Sequence, residues 1–303
     1  MNNKNVFIII LNYNHLDDLK ETVTSFIMQN YKDIRIIVSD NGSDDNSVAW
    51  LKEAHQEIKV IENGTNLGWA EGNNVGISYA LEQNADFILL ANNDLSFTNP
   101  YIIHCLIQQM RLHENWIMGP VQYYYSKPEQ IYNQGNYFMN ISKPVFNKIR
   151  NSLSDKIEIP LNLKVVDYVA GSFVLFPSRL INDIGFIDPH FYLYGEDADF
   201  FLRSWKKGYI SLVDTNLNIL HKVSATSGMK SNLKKYYQSR NIWRNLQKHR
   251  DISRNLAYFR TKALIGIFKN ILIDFSHMRF SHIKAITLGM WHGLVLRKYG
   301  QYY

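Results

Sequence analysis

Apolar runs and helical stripes alternate through the first hundred residues. Val6-Phe7-Ile8-Ile9-Ile10-Leu11 is a continuous apolar run, the pattern of a parallel strand buried on both faces. Between Asp17 and Gln29, Leu19, Val23, Phe26 and Ile27 recur at helical spacing. Ile34 to Val38 predicts a second strand, ending in the turn-rich Ser39-Asp40-Asn41-Gly42-Ser43. A helix over Ser47–Glu57, a strand over Ile58–Ile61, a helix over Gly72–Gln83 and a strand over Phe87–Leu90 complete the series. The alternation predicts an α/β fold with a doubly wound, mostly parallel sheet flanked by helices. Ligands on such sheets bind outside the carboxyl ends of the strands, where Asn12, Asp40 and Asp94 fall.

The pattern changes after Gly119-Pro120. Tyr123-Tyr124-Tyr125 opens an irregular aromatic and polar stretch to about Pro160, expected as a loop with short strands facing an acceptor. Val165 to Phe176 is strand-like, interrupted at Gly171-Ser172. Glu196 to Lys207 reads as a helix closed by Gly208. Two short strands follow, Tyr209–Val213 and Leu217–Leu220, and then His221. From Lys230 onward the chain reads as helix. Leu256, Phe259, Leu264, Ile267, Phe268, Ile271, Leu272 and Phe275 make a wide apolar stripe flanked by Arg254, Arg260, Lys262 and Lys269, a core helix or an interfacial one. The expected organisation is one domain over 1–229 and a helical basic extension over 230–303.

Charge sharpens that division. The net charge of +6 combines two unlike parts. From Lys230 to Tyr303 there are 15 Lys and Arg against Asp251 and Asp274, a net of +13. The rest carries 18 Lys and Arg against 25 Asp and Glu, a net of −7. A basic arm seeks anionic lipid, nucleic acid or phosphate-bearing substrates; the plainer alternative is a solvated helical face. At 303 residues and 46% hydrophobic, the chain can bury a large core. The single cysteine, Cys105, lies in an apolar helical pattern and excludes an intrachain disulfide, which fits a reducing compartment. Val6–Leu11 is too short for a signal peptide, and no uncharged apolar run approaches the roughly 20 residues of a membrane span.

The densest chemistry is Gly195-Glu196-Asp197-Ala198-Asp199, which follows the aromatic run Phe191–Tyr194. Acids in a first helical turn suit the macrodipole, and they also suit general-base catalysis. Asn92-Asn93-Asp94 sets a carboxylate and two amides at a strand end, oxygen ligands suited to Mg²⁺ or Mn²⁺ held with a diphosphate, or equally a turn before a cap. Asp40 can accept the imide hydrogen of uracil or thymine; an Asx turn suits the same residues. Gly64, Gly68, Gly72 and Gly76 punctuate a helix entry that could cradle phosphate, without matching either the Walker or the Rossmann pattern. Arg240 could grip phosphate through its planar fork.

In order, these segments resemble the family 2 nucleotide-sugar glycosyltransferases of GT-A fold. The residues that carry the resemblance begin with Leu11-Asn12-Tyr13-Asn14 and Ser39-Asp40-Asn41-Gly42-Ser43-Asp44-Asp45. They continue through Asn66-Leu67-Gly68-Trp69-Ala70-Glu71-Gly72-Asn73-Asn74-Val75-Gly76 and Leu89-Leu90-Ala91-Asn92-Asn93-Asp94. Ala170-Gly171-Ser172, Tyr194-Gly195-Glu196-Asp197-Ala198-Asp199 and His221 complete the set. The resemblance spans residues 6 to about 245 and looks nearest to the rhamnosyltransferase-like branch that builds bacterial surface polysaccharides.

The resemblance implies Asp40 at the nucleobase, Asn12 and Asn74 in the nucleotide pocket, and Asp94 and His221 as ligands of Mg²⁺ or Mn²⁺; Asn93 and Arg240 are expected as further nucleotide-binding residues. It implies Asp197 as the base on the acceptor hydroxyl, with Glu196 beside it. Where the family's metal motif begins with an acid, this chain has Asn92. The expected enzyme is an inverting hexosyltransferase taking a nucleotide diphosphate sugar, with a saccharide or lipid-linked acceptor. It is expected in the cytoplasm at the inner face of the membrane, in peripheral contact with anionic lipid and not with nucleic acid. The rival expectations are a catalytically silent sugar-nucleotide-binding module of the same fold and a nucleic-acid binder resting on the basic arm.

Overall fold

The computed structural model describes residues 4–137, 158–223, 232–250 and 256–295, with backbone only for 256–259. Its parallel half is built from β1 (Val6–Asn12), β2 (Ile34–Asp40), β3 (Lys59–Glu62) and β4 (Phe87–Asn92). The crossovers are α1 (Leu16–Ile27), α2 (Ser47–Ala54) and α3 (Gly68–Glu82). Then come β5 (Leu95–Ser96), α4 (Ile102–Met110), β6 (Trp116–Tyr124), β7 (Lys127–Asn133), β8 (Leu163–Val166), β9 (Phe173–Pro177), α5 (Arg179–Ile184), α6 (Glu196–Lys206) and β10 (Ile210–His221). Helices α7 (Asn232–Lys248), α8 (Leu256–Ser276) and α9 (Phe280–Val295) end the described chain. The strands form one sheet in the order β3-β2-β1-β4-β9-β6-β10-β5, with β7 on β6 and β8 on β10.

The β3-β2-β1-β4 half is parallel throughout, as its unbroken apolar runs predict. Val6 to Ile10 are buried on both faces of the sheet. Register brings Asn12 beside Asp40 and Leu11 beside Asn92, so three strand ends meet along one edge. Beyond β4 the direction reverses: β9 runs antiparallel to both β4 and β6.

Four expectations are corrected. Strand β6 runs straight through Gly119-Pro120, because Gly119 is the point where β6 meets Val169 and the carbonyl of Phe173 at close range. Val165–Phe176 is two strands in different places, β8 on β10 and β9 on β4. The two short strands before His221 are one strand, β10, with a register shift between Asp214 and Asn218. Helix α3 begins at Gly68 rather than Gly72, so Gly72 and Gly76 are helical and form no phosphate cradle. A Cβ on Gly72 would meet Leu11 and Asn41, and one on Gly76 would meet Ile9. Four helical residues rise about 6 Å and two strand residues about 6.6 Å, so this glycine pair lets α3 lie against β1. Part of the expected irregular stretch, residues 138–157, and the 229/230 boundary lie outside the described residues.

Helix α7 packs on α9 along nearly its whole length. Gly289 and Gly293 of α9 lie against the carbonyls of Tyr236 and Arg240. No described helix is long and apolar enough to cross a membrane.

Gly119→Ala is expected to destabilise the protein by about 1–3 kcal/mol, as an overpacked core position does. Its Cβ would collide with Val169 Cγ1 and sit 2.8 Å from a backbone oxygen that cannot rotate away. Urea denaturation of the two proteins measures it.

Candidate active site

A cavity of about 460 Å³ opens at the carboxyl ends of β1 and β4. Asn93, Asp94, Glu196, Asp197 and His221 all line it. The two-residue strand β5 brings one pair together: it pairs with the end of β10, setting His221 opposite Leu95 and beside Asp94. The amide of Lys222 donates to the Asp94 carbonyl at 2.9 Å and locks the register. His221 Nε2 lies 3.1 Å from Asp94 Oδ1, and both side chains are buried.

Gln122 sits behind this pair. Its Oε1 accepts from Ser172 Oγ at 2.8 Å and lies 3.1 Å from His221 Nδ1. With Nδ1 occupied by Gln122, Nε2 is the ring atom that faces the Asp94 carboxylate. A carboxylate and an imidazole are suitable donors for a divalent ion. Among the described residues no group of three or more His, Cys, Asp or Glu is placed to hold a metal ion, so a metal here would draw its remaining ligands from substrate oxygens and water.

The acidic pair opens α6. Gly195 at φ 93° turns the chain into the helix, and Glu196 and Asp197 follow at its positive end. Burial, then the charge of Asp197, pushes the Glu196 carboxyl up to about 8. Burial also raises Asp197, against backbone N–H groups that favour its charged form. Asp197 Oδ1 accepts from the Ala198 amide at 2.7 Å, while Glu196 Oε2 is buried without a hydrogen-bond partner. The pair therefore holds its negative charge on Asp197 and a proton on Glu196. Asp199 faces the other way. Burial alone would raise it, but His249, Arg203 and Lys248 hold it at about 2.

Four expected site residues stand outside the cavity. Asp40 is 1% exposed, and its oxygens accept from Asn12 Nδ2, the Gly42 and Ser43 amides and Ser43 Oγ. It is the Asx-turn reading that the geometry fits. Asn12 is fully buried and passes the chain of contacts on, its Oδ1 accepting from Asn93 Nδ2 at 2.8 Å. These three side chains tie the ends of β2, β1 and β4 into one wall. Asn74 spends its amide on the backbone of Ile187, accepting at 3.1 Å and donating at 2.8 Å. Arg240 is 1% exposed and donates to the carbonyls of His190 and Phe191 at 2.9 and 2.7 Å. Beside it, Asn241 Nδ2 reaches the carbonyls of Phe191 and Leu193 at 3.0 Å each, and Asn245 reaches that of Gly195 at 3.0 Å. Asn74 and Arg240 thus bond the backbone of the segment before α6.

Sequence reasoning passed over Trp69, Gln122 and Tyr192. Trp69 Nε1 donates to Asn92 Oδ1 at 3.2 Å, which gives Asn92 a structural task. Gly171 is bare because a Cβ there would strike the Trp69 ring at 2.8 Å. The amide of Trp69 donates to the Tyr192 carbonyl, at a residue with φ 62°. The signal available was the lone tryptophan in the glycine-punctuated helix entry.

Folding strengthens Glu196's hold on its proton. Between its ordinary value of 4.5 and about 8 the native state binds more protons than the unfolded one, so this group lowers stability as pH rises through that window. Glu196→Gln should therefore lose less Tm than the parent between pH 5 and pH 8. Parallel Tm–pH curves for the two proteins would remove the assigned protonation.

Residues 7–182 match the profile of "Glycosyl transferase family 2". The chain is 26% identical over 201 residues to the "Low-salt glycan biosynthesis hexosyltransferase Agl10" of Haloferax volcanii, covering 65% of this chain and 60% of that protein's length. It is 23% identical over 263 residues to "dTDP-rhamnosyl transferase RfbF" of Shigella flexneri, covering 82% and 81%. Among solved structures, the Pyrobaculum calidifontis mannosyltransferase PcManGT in complex with GDP-Man and Mn²⁺ aligns with TM-score 0.60 at 10% identity, over 98% of this chain and 89% of that one. GalNAc-T7 with UDP, GalNAc and Mn²⁺ aligns with TM-score 0.62 at 14% identity, over 86% and 55%. At such identities the structural likeness carries the fold alone, and that fold is GT-A. With more than half of its length matched by the family profile, the chain belongs to glycosyl transferase family 2.

Proposed function

We propose that the protein is an inverting hexosyltransferase that moves a sugar, rhamnose foremost, from a nucleotide diphosphate to a hydroxyl of a saccharide or lipid-linked acceptor. The carrying observation is that one cavity is lined by both the Glu196–Asp197 pair and the Asp94–His221 pair. The relatives' names support the sugar: a dTDP-rhamnosyl transferase, and an N-acetylglucosaminyl-diphospho-decaprenol L-rhamnosyltransferase of Mycobacterium tuberculosis, 19% identical over 239 residues. The second name also supports a lipid-linked acceptor, and with it a place at the inner membrane face in surface polysaccharide synthesis.

Leu11, Tyr13, Asn41 and Asn66 line one wall of the cavity. Tyr13 is exposed enough to stack on a base, and the Asp40 turn supports that wall from behind. Asp94 and His221 are the residues that would hold Mg²⁺ or Mn²⁺ against the diphosphate. When bound, such an ion neutralises charge on the departing phosphate. Asp197 accepts the acceptor hydroxyl's proton as that oxygen bonds to the anomeric carbon. The bond from that carbon to the phosphate oxygen breaks, and its electron pair leaves with the nucleoside diphosphate. A single displacement inverts the anomeric centre. Glu196, protonated and neutral, keeps a second negative charge away from the base.

Asp197→Asn should keep donor affinity and lower turnover by about 10²–10⁴. Transfer to a soluble acceptor, followed by anomeric analysis of the product, tests both the base and inversion. Normal turnover would move the role to another group.

Asp94→Ala should abolish Mn²⁺-dependent binding of a nucleoside diphosphate. His221→Ala should weaken it, since one imidazole is one ligand among several. Calorimetry with and without Mn²⁺ measures both, and unchanged binding in the two variants would remove the metal site.

A further inference from the structure

Helix α8 carries two apolar faces, and packing uses only one. Ala263, Ile267 and the ion-paired Asp274 are buried, with Ala263 and Ile267 against Trp243 and Ile286 of the neighbouring helices. At 3.6 residues per turn, Leu264, Ile265, Phe268, Leu272 and Phe275 fall within a separate arc of about 100°, centred roughly 120° away. All five are exposed, between 46% and 62%. Phe280, at the start of α9, meets Phe275 edge to face and extends the patch, and Trp291 is 59% exposed further along α9. The side chains of Leu256 and Phe259, part of the stripe expected from sequence, lie outside the described residues.

The rim of this patch has one sign. Arg260, Lys262 and Lys269 lie on α8 and Lys284 on α9. The one acid of the two helices, Asp274, is 1% exposed and paired with Lys235 and Arg279. An exposed apolar stripe with aromatic residues and a cationic border is the chemistry of a helix lying in the headgroup region of an anionic bilayer. A second copy of the chain fits worse, because a twofold contact would bring the same cations face to face.

We propose that the Leu264–Phe268–Leu272–Phe275 face of α8, with Phe280, docks the enzyme onto an anionic lipid surface. Helix α7 gives the docking a purpose. It packs on α8 and α9, its Leu233 lines the cavity, and its Arg240 and Asn241 hold the segment leading to Glu196. A bilayer under α8 is thus coupled through one helix to the site where a lipid-linked hydroxyl must arrive. That purpose rests on the acceptor reading above; the surface itself does not.

Co-sedimentation of the full chain with phosphatidylglycerol–phosphatidylcholine vesicles, and with phosphatidylcholine alone, tests the face. Binding is expected to the anionic vesicles only, and to weaken at 1 M salt as the Debye length falls to about 3 Å. The double variant F268E/L272E should bind on the order of tenfold more weakly or less still, with Tm unchanged. Lys269→Glu should weaken binding and flatten its salt dependence. Mn²⁺-dependent nucleotide binding, measured on the same samples, should not change, so failure of the surface and failure of the transferase reading remain distinguishable. Absence of vesicle binding, or binding that survives F268E/L272E, overturns the proposal. So does a dimer by light scattering that this variant dissociates without any vesicle binding.

Discussion

The site depends on satisfying the backbone carbonyls of residues 190–195. Tyr192, Tyr194 and Gly195 all have positive φ, so this segment forms no continuous helix or strand ladder and leaves carbonyls with capacity to accept. Arg240, Asn241, Arg244 and Asn245 supply the missing donors from one helix. The strained turn is held, and Glu196 and Asp197 enter α6 at a fixed point of the cavity wall. Trp69 meets the same segment from the opposite side through the Tyr192 carbonyl. The acids are therefore placed by α7 and α3 together, although neither helix contributes the proton acceptor.

This bears on what the charge count means. The excess of cations after Lys230 suggests a uniformly basic surface, yet α7 spends several of them inward. Arg240 is buried, with burial and then the charge of Arg244 lowering it to about 10. Lys248 bridges Asp188 and Asp199 at 2.6 and 2.9 Å. The positive charge of this helix neutralises acids and carbonyls beside the site. The charge that meets solvent on one side is that of α8 and α9.

The parallel half of the fold was legible because a strand buried on both faces leaves an unmistakable apolar run, as at Val6–Ile10. That Asp94, His221, Glu196 and Asp197 would face one cavity was legible because polar side chains gather at strand ends and helix starts. The backbone contacts of Asn74 and Arg240 were not legible, for a common reason. A side chain that bonds backbone carbonyls leaves no pattern at its partner, since every residue carries a carbonyl. Gln122 was silent because its role comes from lying across the sheet from His221, a neighbour set by β6–β10 pairing. Gly119-Pro120 misled because a Gly-Pro pair ordinarily ends a strand, whereas here the glycine admits Val169.

The antiparallel strand β9, lodged between β4 and β6, also governs how the chain comes off the ribosome. The wholly apolar edge of β4 gains its native neighbour only when Phe173–Pro177 has been made, roughly 80 residues after β4 is complete. At 5–20 residues per second that is on the order of 4–16 s. For that interval the growing chain presents an open strand edge of the kind that recruits other strands. Early folding of the β3-β2-β1-β4 unit cannot remove the hazard. Synthesis speed across the intervening segment, and chaperone access to it, thus become determinants of yield that the finished fold conceals.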